Sequence, residues 1–138
     1  MKFKKYIREA YSTRNLLSHI NPDLISQKHL KAGDRKKLNT QIQKILKPTY
    51  FKDIPLDKIF DALEKNGLVP IQEDNTYWSG LLLGGSDKTE MVNFNLGWKN
   101  ESVKKNGMNV YMAVPNAVLT MTYYKMGSGK YEVIGYVS

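Results

Sequence analysis

Seven cationic side chains, Lys4, Lys5, Arg35, Lys36, Lys37, Lys44 and Lys47, carry the strongest chemical signal in this sequence, and their chemistry is phosphate neutralisation rather than bond making. Residues 1–52 hold thirteen Lys/Arg against three acids, whereas the rest of the chain holds eight against ten; the net formal charge is +8. A basic surface that served only solubility would not stop at one boundary, so an anionic partner is expected at the N-terminal third. Of the 21 basic residues only Arg8, Arg14 and Arg35 are arginine. Lysine suits diffuse contact with phosphates better than bidentate reading of base edges. If about six lysines each meet one phosphate, log affinity falls with log salt at a slope of roughly −5.

Other residue sets lack the geometry or chemistry of catalysis. Gly80 and Gly85 have the spacing of a phosphate-binding loop, but Ser86 stands where its lysine is needed and Asp87 would repel phosphate, so a hairpin turn is expected there. Gly127-Ser128-Gly129-Lys130 reads the same way. His19 and His29 lie in the basic region without a carboxylate pair at ligand spacing, as helix-end histidines. Asp57, Asp61 and Glu64 share a helical stretch with Lys58 and Lys65 and form a solvated acidic face rather than a buried acid/base pair. No catalytic residue, metal site or cofactor is expected. Zero cysteines exclude disulfides, thiolate metal sites and a cysteine nucleophile.

The elements that must position the cations follow from periodicity. A chain of 138 residues with 41% hydrophobic and 25% charged residues can bury a core as one domain, with residues 1–52 as a basic helical segment and 53–138 as the sheet part. Apolar residues recur at helical spacing through residues 3–20. Asn21-Pro22 is a cap and first-turn proline that predicts a second short helix fading near residues 31–33. Asp34 is expected to cap a third, with Leu38, Ile42, Ile45 and Leu46 inward and Arg35, Lys36, Lys37, Lys44 and Lys47 around its polar side. Pro48 stops it. A fourth begins at residues 53–55, buries Leu56, Ile59, Phe60 and Leu63, and ends at Asn66-Gly67.

Beyond Gly67 the period changes to two. Val92, Phe94, Leu96 and Trp98 alternate with Asn93, Asn95 and Gly97, a strand with one buried face. Further strands are expected over 77–83, 109–114, 117–125 and 131–137, with turns at 84–87, Asn106-Gly107, Pro115-Asn116 and 127–129. Helices first and strands second give an α+β fold with an antiparallel sheet of about five strands. Strand aromatics such as Tyr77, Trp78, Trp98, Tyr111 and Tyr131 are expected mainly in core packing. Tyr123 and Tyr124 must point to opposite faces, leaving one of them available to a partner.

The opening residues, Met1-Lys2 followed by Tyr6-Ile7-Arg8-Glu9-Ala10, resemble the capsid-targeting leader of the internal head proteins of T-even-type bacteriophages. In that family the leader is cut by the prohead protease just after the Glu, which makes Glu9-Ala10 the implied scissile bond. The resemblance implies a basic protein packaged with the genome and delivered into the host, where some relatives block nucleases that attack phage DNA. The same residues also fit an uncut amphipathic helix. Together these features lead us to expect a non-enzymatic protein of virion or host cytoplasm. Its basic helical surface would meet nucleic acid or a nucleic-acid-handling host complex. The alternative is a virion structural or assembly protein that contacts capsid or tail subunits.

Overall fold

The computed structural model describes residues 20–71 and 89–138. Within them the chain runs through a 3-10 turn (Pro22–Leu24), helix α1 (Ala32–Ile45), helix α2 (Leu56–Lys65) and strands β1 (Leu68–Ile71), β2 (Thr89–Lys105), β3 (Met108–Lys125) and β4 (Tyr131–Val137). The strands form one antiparallel sheet in the order β1-β2-β3-β4. An α+β architecture is therefore present, with four strands among the described residues instead of about five. The expected helix at residues 3–20 falls outside the described residues except for Ile20, and the expected strand at 77–83 and turn at 84–87 fall wholly outside them.

Helix α2 forms where its stripe requires. Leu56, Ile59, Ala62 and Leu63 are buried, Phe60 meets Phe94 edge-on at 5.6 Å between ring centroids, and Gly67 ends the segment at a φ of 75°. Helix α1 buries Leu38 and Ile42, with Ile45 and Leu46 packed against the core. It starts two residues before Asp34. Lys31 occupies the cap position without a side-chain bond, so Asp34 lies inside the first turn, where its charge still complements the helix dipole. Asn66 ties the helices together by donating to Gln41 Oε1 at 2.8 Å and to the Ala62 carbonyl at 2.7 Å.

The expected second helix is corrected to a three-residue turn. Asn21 does accept from the Asp23 N–H at 3.0 Å, yet the chain then extends and Ile25 forms a parallel bridge with Ala113. A segment with so thin an apolar stripe gains more by giving its backbone groups to the sheet. Ser26 N donates to the Ala113 carbonyl at 2.8 Å, and the Asn116 side chain both accepts from Leu30 N (2.8 Å) and donates to Leu30 O (2.9 Å). Trp98 Nε1 donates to the Lys28 carbonyl at 2.9 Å, while Lys28 Nζ sits 4.6 Å from the ring centroid. Residues 25–31 thus form a strap across the sheet.

Two expected strands, 109–114 and 117–125, are a single strand. Pro115-Asn116 is a bulge and not a turn: three residues of β2, Asn95 to Gly97, lie opposite six of β3, Val118 to Ala113. The excess loops out locally, which accommodates a proline that cannot donate to the ladder and aims Asn116 at the strap. A compensating excess follows on β2, where Gly97 to Ser102 face Ala113 to Tyr111. Strand β1 pairs Leu68 with Trp98 and Ile71 with Asn95, in a stretch where no strand is expected from the sequence.

One sheet face and the two helices enclose the core, in which Val92, Phe94, Leu96, Leu119, Met121, Val133 and Val137 meet Leu38, Ile42, Ile59 and Leu63. Trp98, Tyr123 and Tyr131 belong to this cluster, and the last two meet edge-on at 6.0 Å. The opposite face is not simply solvent-facing, contrary to the expectation of a strand with one buried face. Asn95, Gly97, Val118, Thr120 and Thr122 are also buried, and Thr120 Oγ1 bonds Asn93 Oδ1 at 2.7 Å.

Candidate polyanion-binding groove

Helix α1 has two opposed duties, and the spacing of its residues separates them. Leu38, Ile42 and Ile45 point into the core, while Lys36, Thr40, Gln43 and Lys47, at i, i+4, i+7 and i+11, make a polar stripe. Between the two lies the contact with the free edge of β4. Asn39 Nδ2 donates to the Val137 carbonyl at 2.8 Å, Asn39 Oδ1 accepts from the Val137 N–H at 2.7 Å, and Gln43 Nε2 donates to the Gly135 carbonyl at 2.8 Å. Farther along the same edge, Phe51 and Tyr131 exchange two backbone bonds of 2.7 Å each. The edge is thereby occupied by side-chain amides and a single bridge, a device that blocks pairing with another strand.

An open groove of about 750 Å³ runs along the polar stripe. Arg35, Lys36, Lys44 and Lys47 supply its charge, and among the described residues no carboxylate lines it; Asn39 and Gln43 border it with their amides held by β4, and the Thr40 hydroxyl donates to the Lys36 carbonyl at 2.9 Å. From Lys36 to Lys47 the distance along the axis is about 16 Å at 1.5 Å per residue. That spans roughly five nucleotide steps of 3.4 Å on one strand. Among the described residues the single ion pair is Lys99–Glu64, on another face, so the groove lysines are not neutralised within that set.

The seven expected cations are therefore only partly brought together. Four line the groove; Lys37 is exposed on α1 but does not line it; Lys4 and Lys5, with the expected processing site Glu9-Ala10, lie outside the described residues. Arg35 differs from the lysines. It is half-buried, its Nη2 donates to the Asn116 carbonyl at 2.6 Å, and its buried Nε has no partner. Arg35 thus joins the groove to the β3 bulge as well as contributing charge. Asn39, Thr40 and Gln43 were not anticipated; the helical spacing from Lys36 marks Thr40 and Gln43, whereas nothing local marks Asn39.

The other residues singled out in the sequence lie away from the groove or outside the described residues. His29 is exposed, with Nδ1 3.1 Å from the Gln27 carbonyl, while His19 lies outside the described residues. Asp57, Asp61 and Glu64 are exposed on α2, and Lys99 Nζ donates to Glu64 at 2.7 Å. That bond, followed by the charge of the ammonium, holds the Glu64 carboxyl below its ordinary value. Among the described residues no three His, Asp or Glu side chains stand close enough to hold a metal ion, and no helix is long and apolar enough to cross a membrane.

No family model matches the chain. Comparison with curated proteins and with solved structures likewise finds no match. What can be said of function therefore rests on the groove's own chemistry.

Proposed function

We propose that this protein is a non-enzymatic, phage-type binding protein that engages the phosphate backbone of nucleic acid, free or carried by a host complex, along the groove of α1. The observation that carries this is the grouping of Arg35, Lys36, Lys44 and Lys47 along one open face of α1 and the turn after it, with no carboxylate among the described residues that line it. The scarcity of arginine suits contact with phosphates without base reading. The leader-like residues 6–10 support a packaged protein delivered with its genome, for which a sequence-indifferent contact with DNA is the appropriate chemistry.

Four groove cations each meeting one phosphate give a salt slope of about −3.6, a loss of about two decades in affinity between 50 and 200 mM salt. Fluorescence anisotropy of a 20-base-pair duplex, titrated across that range, measures it. Replacing Lys36, Lys44 and Lys47 together by Glu abolishes binding without unfolding the domain, because all three are exposed. A salt-independent isotherm, or full affinity in the triple variant, overturns the proposal. Stoichiometric self-assembly without DNA binding, seen by light scattering, supports the virion-assembly alternative instead.

A further inference from the structure

Strands β2 and β3 continue past the sheet as a two-stranded arm. Its register is Ser102↔Tyr111, Val103↔Val110, Lys104↔Asn109 and Lys105↔Met108, closed by Asn106 and Gly107 at φ values of 52° and 78°. Positive φ at both central residues is the type I′ geometry that matches the twist of the flanking strands, so the tip is a tight two-residue turn. Every residue from Ser102 to Asn109 is exposed, on both faces of the ribbon. At about 3.4 Å per residue the paired segment from Ser102 to Lys105 reaches roughly 10 Å from its base.

Two properties of this arm are unusual together. Met108 is 70% exposed, Val103 38% and Tyr111 37%, placing apolar surface at and near a tip where polar residues would suffice for a turn. The same stretch carries Lys104 and Lys105 and, from residue 102 to 113, no acid. Glu101, at its base, is occupied by the Ser26 hydroxyl at 2.8 Å. A cationic ribbon with a bare thioether at its end is complementary to a polyanion that offers an apolar interior, and stacked base pairs behind a phosphate backbone are such an interior.

We propose that this arm is a second contact with double-stranded DNA, with Lys104 and Lys105 on phosphates and Met108 as a wedge against the base stack. The inference rests on the groove as the first contact and deepens it by naming a duplex as the ligand. Connectivity supports one ligand spanning both. Arg35, at the N-terminal end of the groove, is bonded to Asn116, and Asn116 lies five residues from Tyr111, where the arm departs. The path between them passes through the bulge, and five residues span at most about 17 Å, less than the length of two turns of duplex. A ribbon enters a DNA groove, and apolar side chains inserted between base steps kink the duplex by tens of degrees.

The test uses the full chain and a 20-base-pair duplex labelled at both ends, read by anisotropy for affinity and by energy transfer for end-to-end distance. Wild type shortens the duplex. Lys104→Glu with Lys105→Glu lowers the salt slope by about 1.8 and weakens binding, while Met108→Ala keeps the slope and loses the shortening. Arm variants that match wild type in both readouts overturn the arm as a contact, and the groove reading stands if the triple variant Lys36→Glu, Lys44→Glu, Lys47→Glu still abolishes binding. Loss of a dimer in Met108→Ala, with DNA readouts unchanged, assigns the arm to self-association and also overturns the inference. Wild type that binds no duplex overturns both. Since the substituted side chains are exposed, circular dichroism is expected to show every variant folded.

Discussion

Asn39 stands to Val137 as one strand residue stands to its ladder partner: its amide nitrogen donates to the Val137 carbonyl at 2.8 Å and its amide oxygen accepts from the Val137 N–H at 2.7 Å. A single side chain therefore satisfies both backbone groups of an edge residue and fixes the rotation of α1. That rotation decides which of its charged residues share a surface.

Asn39→Ala leaves two backbone groups of Val137 to find other partners, and a loss of roughly 2 kcal/mol is expected. Asn39→Asp restores the acceptor but sets a carboxylate against the Val137 carbonyl, so it rescues little. Urea denaturation of the three proteins decides; equal midpoints would remove Asn39 from any positioning role.

Charge count and charge placement make different predictions for Lys37. It neighbours Lys36 in sequence but does not line the groove, so Lys37→Glu is expected to weaken duplex binding several-fold less than Lys36→Glu. Equal losses measured by anisotropy at 100 mM salt would show that net charge, and not the groove, governs affinity.

Gly97 sits where two chains nearly touch. A Cβ there falls 2.9 Å from Ile71 Cδ1 and 2.9 Å from Tyr111 Cβ, and the latter is fixed to the β3 backbone. Gly97→Ala is expected to cost about 1–3 kcal/mol. At Gly135 the nearest atom is the Met121 sulfur at 2.6 Å, on a side chain with several torsions to yield, so Gly135→Ala costs less. Chemical denaturation that ranks the two the other way refutes this.

Glu64 is lowered by Lys99 in the folded protein, so the pair contributes above the ordinary carboxylate range and its contribution disappears as pH falls through the lowered folded value. Both side chains are about half exposed, and the effect is small and screened by salt. In Lys99→Met the Glu64 carboxyl should titrate higher than in wild type by NMR. Identical titration curves would show that the pair does not persist in solution.

Helix α2 was legible because its apolar residues occupy one full stripe between Pro55 and Gly67, and the Asn106-Gly107 hairpin because few other pairs accept positive φ twice. The continuity of β3 was not legible, since Pro115 reads as a breaker unless a bulge frees its nitrogen from the ladder, and that bulge depends on the length of β2 opposite. Strand β1 is four residues long with a proline in it and carries no period of its own. The Asn21-Pro22 start signal was real, but a three-residue turn satisfies it. Of the groove, helical spacing revealed Lys36, Lys44 and Lys47 together. It could not separate Lys37 from them or reveal Asn39, whose partner lies 98 residues away.

That separation bears on the order in which the protein is made. The groove helix emerges well before its docking points at Gly135 and Val137 and before the Asn116 contact of Arg35, which lie 81 to 98 residues farther along the chain. Until then the lysines ride on a helix with no fixed orientation, an isolated segment short enough to be marginal in water. Contacts so distant along the chain also close slowly. The nascent protein therefore passes through a period in which its cationic helix is unshaped, and the orientation of the lysines is fixed only once β4 is in place.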